Sequence, residues 1–238
     1  MIGKIFILGR KNKEEGEKPF WMSFADLMSA LMVMFMVVMS VALLAVTNVV
    51  SDADREKAKR EQEIGKVLEK IEQAAERHPG ISIDKNRNVI DFGDRARFDT
   101  GSSQLSGEQA QYLSQFVSEV LAITQLDPGN RWIKRIVAEG FADQRGDYLL
   151  NLNLSLQRSQ RVLCVLLSPP AGQESMLTPD EKEQVRDLFL VGGYSFNSAK
   201  ASLEESRRIE LRLEYYDLNE PRPSLTGIPR GNFGTCRI

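Results

Sequence analysis

The 238-residue chain carries 31 basic and 33 acidic side chains, a net charge of −2 and a pI near 5.7, a balance that excludes broad, non-specific binding to nucleic acid. Its 42% hydrophobic content suits one or two cored domains. One histidine, His78, and two cysteines, Cys164 and Cys236, not spaced as metal ligands, offer neither a metal centre nor a paired nucleophile and base, so an enzyme such as a wall-cleaving hydrolase is not expected.

Residues 1–19 are polar, mixed in charge and rich in Lys and Glu, and read as a short flexible tail. Phe20 and Trp21 then stand where interfacial aromatics anchor a helix. Between Lys18 and Asp52 the only charged residue is Asp26, and residues 27–51 carry no charge. A helix over that stretch is roughly 37 Å long, against about 30 Å of hydrocarbon core, so residues 20–50 are expected to form one transmembrane helix. A cleaved signal peptide is the rival reading, since Ser51 and Ala53 make a small-residue pattern. Its apolar region would be only about 7–15 residues long, and the embedded acid also argues against it. The six methionines of the span suit irregular helix contacts. Basic residues flank it almost equally (Lys4, Arg10, Lys11, Lys13 and Lys18 before, Arg55, Lys57, Lys59 and Arg60 after), so the positive-inside rule leaves its direction open.

Asp26 lies about 9 Å beyond Phe20 along the helix, below the headgroups but nearer one end. Ser23, Ser29 and Ala30 share its face at offsets −3, +3 and +4. A charged Asp at the centre of a membrane helix costs about 2.5–3.5 kcal/mol on insertion scales, so such residues usually face protein or water. Either Asp26 reaches the interface or stays protonated, or it sits against partner helices and cycles between charged and neutral, with Ser23 and Ser29 beside the ion path. One helix cannot enclose such a path, so the second reading requires partners.

Residues 51–80 form a charged linker with apolar positions at Ile64, Leu68, Ile71 and Ala75, a narrow helical stripe ended by His78-Pro79-Gly80. It reads as a solvated spacer or as a dimer-forming or gate-covering helix. A mixed domain over residues 81–216 follows. Short strands are expected at 81–83 and 89–92, and a helix opens on the capping box of Ser106 and Gln109 and runs to about Thr124. Residues 127–130 make a turn, 133–139 a strand and 152–167 a helix ended by Pro169-Pro170. Another helix starts at Thr178-Pro179, and residues 208–215 alternate as a half-buried strand. This order predicts a mixed sheet with helices on one face. Residues 217–238, rich in proline and glycine, form an extended tail.

The segments Glu139-Gly140-Phe141-Ala142-Asp143, Asn151 to Arg158 and Arg207-Arg208-Ile209-Glu210-Leu211 resemble the OmpA-like peptidoglycan-binding domain, as do Arg97-Phe98-Asp99 and Leu105 before the first long helix. That family reads G-H-T-D, then N-x-x-L-S-x-x-R. Gly140, Asp143, Asn151, Leu154, Ser155 and Arg158 fill the pattern, with Phe141 and Ala142 in place of the His and Thr. The resemblance implies that Asp143 and Arg158, with Asn151 and Leu154, bind the diaminopimelate of a wall stem peptide. One carboxylate and one guanidinium suit its ammonium and its carboxylate.

Trp21, Ala25-Asp26, Met28 and Ala30 ahead of such a domain resemble the MotB family of peptidoglycan-anchored stator subunits. The short linker and the tail are more similar to its ZorB branch, from Zorya anti-phage defence. The resemblance implies a homodimer inside a pentamer of MotA-like (ZorA-type) membrane subunits. It implies a bacterial inner-membrane location, with the N-terminus cytoplasmic and the domain periplasmic, and H⁺ or Na⁺ as the translocated ion without a resident cofactor. Flagellar MotB function and passive tethering of membrane to wall are the alternatives. In an oxidising periplasm Cys164 and Cys236 could form a disulfide pinning the tail. Equally, Cys164 is a core thiol and Cys236 a loose one.

Overall fold

The computed structural model describes residues 20–168, 175–223 and 229–236, with side chains from residue 24 onward. The expected tail over 1–19, the side chains of Phe20, Trp21 and Ser23, and the Pro169-Pro170 stop lie outside the described residues. The chain divides into two compact units, Met1–Arg55 and Glu56–Ile238, and helix α1, Phe20–Glu76, contributes to both.

In the first unit every side chain from residue 24 to residue 50 is exposed, and the helix is long and apolar enough to cross a membrane. The hydroxyls of Ser29, Ser40 and Thr47 donate to the carbonyls of Asp26, Met36 and Leu43, at 2.9, 2.7 and 2.8 Å. A hydroxyl that bonds its own helix backbone leaves no unmet donor on an apolar surface.

In the second unit the later turns of α1 are packed rather than a solvated spacer. Val67, Leu68, Ile71, Ala74 and Ala75 are buried in the domain core, and Ile64 packs against it. The expected stripe missed Val67 and Ala74. With them it widens to the i, i+3, i+4, i+7 pattern of a core-facing helix. The unit therefore starts at Glu56 rather than at residue 81.

The sheet has the order β1-β2-β5-β3-β4. β1 (Ser82–Asp84) and β2 (Val89–Asp91) form a hairpin. β5 (Ile209–Tyr215) runs antiparallel to both β2 and β3 (Ile133–Gly140), and β4 (Phe189–Gly193) is parallel to β3. Ile136, Ala138, Ile209, Leu211 and Leu213 point to one face. There they meet α1, α2 (Gly107–Gln125), α4 (Tyr148–Leu167) and α5 (Pro179–Leu188) in a single core. The alternate residues carry charge on the other face, where Glu139 accepts from Arg212 at 2.6 Å, Glu210 accepts from Arg87 at 2.8 Å, and Arg135 pairs with Glu214. This is the expected mixed sheet with helices on one face.

The expected capping box of Ser106 with Gln109 forms, and Thr178 makes a second one with Glu181. Four details differ from expectation. The turn at 127–130 closes into a one-turn helix, α3 (Gly129–Trp132). α4 begins at Tyr148, four residues early, because Asp147 caps it by accepting from Leu150 N at 2.8 Å. β4 went unread because five residues ending in two glycines show no alternation. α6 (Leu203–Ser206) is a single turn capped by Ser202. Cys164 and Cys236 form a disulfide, so the described end of the tail is tied to α4.

Candidate functional site

Close approach of α4 to the sheet builds the pocket. A Cβ on Gly140 would lie 1.9 Å from the Ser155 carbonyl oxygen, and one on Gly193 would lie 2.6 Å from Leu156 Cγ, so only glycine lets the helix backbone settle there. Ser195 ties the contact twice, donating from N to Ser155 Oγ at 3.0 Å and from Oγ to the Tyr148 carbonyl at 3.0 Å. Asn151, Leu154 and Arg158, spaced i, i+3, i+7 on α4, then face the loop after β3. With Asp143, Arg145 and Thr100 they line one cavity of about 310 Å³. The four residues expected to bind a ligand thus share one pocket.

Asp143 is 5% exposed and does not pair with Arg158. Its Oδ1 accepts from Arg145 N at 3.1 Å, and Arg145 Nε lies 3.3 Å from both oxygens. Its Oδ2 accepts from Arg145 Nη2 at 2.6 Å and from Arg207 Nη1 at 3.2 Å. Burial pushes the Asp143 carboxyl up, but the hydrogen bonds from Arg145 and Arg207 outweigh it and hold the group down at about 2.

Arg158 is fully buried, with its guanidinium carbon 4.9 Å above the Phe98 ring. It donates to three carbonyls, from Nε to Ser102 at 2.9 Å, from Nη1 to Phe141 at 2.6 Å and from Nη2 to Asp99 at 3.1 Å. A guanidinium has five N–H groups, so one on each Nη takes no part in these three bonds. Burial lowers the Arg158 pKa to about 10, against the opposing pull of the Asp143 charge, so it stays a cation at neutral pH. Asn151 holds the loop rather than the cavity, donating from Nδ2 to the carbonyls of Arg145 at 2.7 Å and Asp147 at 3.1 Å.

Phe141 and Ala142, in the places of the family's His and Thr, bond through their backbones. Phe141 N donates to the Arg208 carbonyl at 3.1 Å and Ala142 N to that of Ser195 at 2.8 Å, while the Phe141 ring lies 4.1 Å below the Arg208 guanidinium. From the sequence Arg207 reads only as the opening of the motif before β5, and Arg145 and Thr100 are not singled out, although Arg145 follows Asp143 by two residues.

In the first unit Asp26 is exposed on the helix. The Ser29 hydroxyl donates to the Asp26 backbone carbonyl, not to its carboxylate.

No family model matches the sequence. The chain is 41% identical over 223 residues to the Zorya protein ZorB of Escherichia coli, an alignment covering 93% of this chain and 91% of that protein. The chain belongs to the ZorB family. Among solved structures, it is similar to the periplasmic domain of MotB at 15% identity and a TM-score of 0.38, covering 55% of this chain and 65% of that one, just under two thirds. It is also similar to a MotB-like protein from Desulfovibrio vulgaris at 15% identity and a TM-score of 0.40, covering 69% of this chain and 96% of that one. This ZorB-family chain has the sheet order β1-β2-β5-β3-β4 with its helices on one face. Its pocket sits at the C-terminal end of β3, where the loop carrying Asp143 meets α4.

Proposed function

We propose that this ZorB-family chain is the ion-conducting, wall-anchored subunit of an inner-membrane motor acting in anti-phage defence. In this reading two copies stand inside a ring of five MotA-like (ZorA-type) subunits, with the N-terminus cytoplasmic and the domain periplasmic. The chain does no covalent chemistry of its own. The observation that carries the reading is Asp26, the one charged residue between Lys18 and Asp52, exposed on a helix that needs neighbours to shield it. Each elementary charge crossing a potential of 100 mV releases about 2.3 kcal/mol, enough to bias the movement of a ring around an anchored axle.

The anchor is the pocket. Asp143 is ionised at neutral pH and suits an ammonium, while the two remaining N–H groups of Arg158 suit a carboxylate. A diaminopimelate side chain in a wall stem peptide presents both.

Asp26→Asn in the full chain, coexpressed with its membrane partner, tests the motor. The variant should assemble normally and lose both ion flux and phage protection. Wild-type flux and protection in that variant would sink the motor and leave a passive tether.

A further inference from the structure

We propose that Arg145 is a built-in latch on the pocket: it occupies the cation subsite of Asp143 in the free domain and must swing out for the ligand's ammonium to enter. The inference rests on the reading of the pocket as a stem-peptide site and adds its regulation.

The Asp143 carboxylate is saturated. Arg145 supplies its backbone N–H, Nε and Nη2, and Arg207 supplies Nη1, so every acceptor position is taken before a ligand arrives. The two arginines are held differently. Arg207 is 9% exposed and also donates to the carbonyls of Phe98 at 2.8 Å and Leu203 at 3.2 Å, which makes it part of the scaffold. The Arg145 side chain is 50% exposed, and beyond Asp143 its guanidinium donates to Thr100 Oγ1 at 2.9 Å, both residues lining the cavity. Half open to water, the Arg145 guanidinium can exchange its bonds to Asp143 for water, which the packed guanidinium of Arg207 cannot. Asn151 grips the Arg145 carbonyl at 2.7 Å, so the loop backbone stays in place while the side chain leaves.

A guanidinium and an alkylammonium are both cations that donate N–H bonds to a carboxylate, so the ligand replaces Arg145 like for like. While the latch is closed, stray cations find no open position on Asp143. A ligand that needs the open form binds more weakly in proportion to the fraction of time the latch is open.

The test titrates the full chain in detergent with the tripeptide L-alanyl-γ-D-glutamyl-meso-diaminopimelate, and with the same peptide acetylated on its free diaminopimelate amine. If the latch is closed nine-tenths of the time, Arg145→Ala should bind the free-amine peptide about tenfold more tightly than wild type. Arg145→Lys should fall between, and the acetylated peptide should show no gain. Asp143→Asn should abolish binding in either background. Equal or weaker binding by Arg145→Ala, with wild-type binding intact, overturns the latch alone. Absence of binding by both proteins, each with a normal thermal transition, overturns the stem-peptide reading and the latch together.

Discussion

Asp143 receives hydrogen bonds from two arginines although it is 5% exposed, and that couples one carboxylate to the stability of the domain. Its folded pKa lies at about 2, below the ordinary 3.8. A depressed carboxylate contributes stability that is fully present above the unfolded value and is lost as pH falls through the folded one. Asp143→Asn should therefore be less stable than wild type at neutral pH, with the gap shrinking below about pH 4 and closing near pH 2. Paired thermal melts across that range check this, and a gap constant down to pH 2 contradicts it. At this scale the motif marked a carboxylate and a guanidinium that line one cavity, but not their hydrogen-bond partners. Spacing along the chain says nothing about which cation reaches Asp143 first. Arg158 lies fifteen positions away and is roped to backbone carbonyls, whereas Arg145, two positions away, curls back.

The β3–loop–α4 unit holds the pocket, and its geometry depends on backbone contact between α4 and the sheet. Gly140 is the sharpest example. Its Cβ would lie 1.9 Å from the Ser155 carbonyl oxygen, and backbone cannot step aside as a flexible side chain can. Gly140→Ala should destabilise the domain by about 3 kcal/mol, as overpacking of a tight contact does, and should open the pocket by pushing α4 outward. Chemical denaturation measures the loss; a variant as stable as wild type would mean the helix does not sit that close. The sequence marked Gly140 through its motif, α2 through its capping box and α5 through its Thr178-Pro179 start. It misplaced the start of α4 because Asp147 read as loop. Only its hydrogen bond to Leu150 N makes it a cap. β4 was missed because its pairing is entirely with β3, across 53 residues of sequence between Ile136 and Phe189.

At the scale of the molecule, two long-range ties define the second unit. α1 inserts Val67, Leu68, Ile71, Ala74 and Ala75 into the core, and the tail returns to α4 through Cys164–Cys236, 72 residues apart. The tail also lies on α5, where Gly231 N donates to Glu183 Oε1 at 2.6 Å and Arg186 Nη1 to the Pro229 carbonyl at 2.8 Å. Closing a loop of that length removes unfolded-state entropy worth about 4 kcal/mol in the chain-entropy model, an upper figure for a tail already docked. Cys236→Ser and reduced wild type should show the same lowered denaturation midpoint, with pocket affinity unchanged. A midpoint equal to that of oxidised wild type would show that the cross-link does not stabilise the domain.

The sequence by itself determined the apolar span with its single acid, the starts of α2 and α5, the alternating last strand and the motif residues that line the pocket. Each of these is a local pattern whose physical cause lies within a turn or two of chain. Only the tertiary structure decided that α1 belongs partly to the domain core, that β4 closes the sheet beside β3, that the two cysteines meet, and that Arg145 covers Asp143. These depend on which distant surfaces come together, and burial, pairing and charge neutralisation between them are set by the folded geometry rather than by the spacing of residues along the chain.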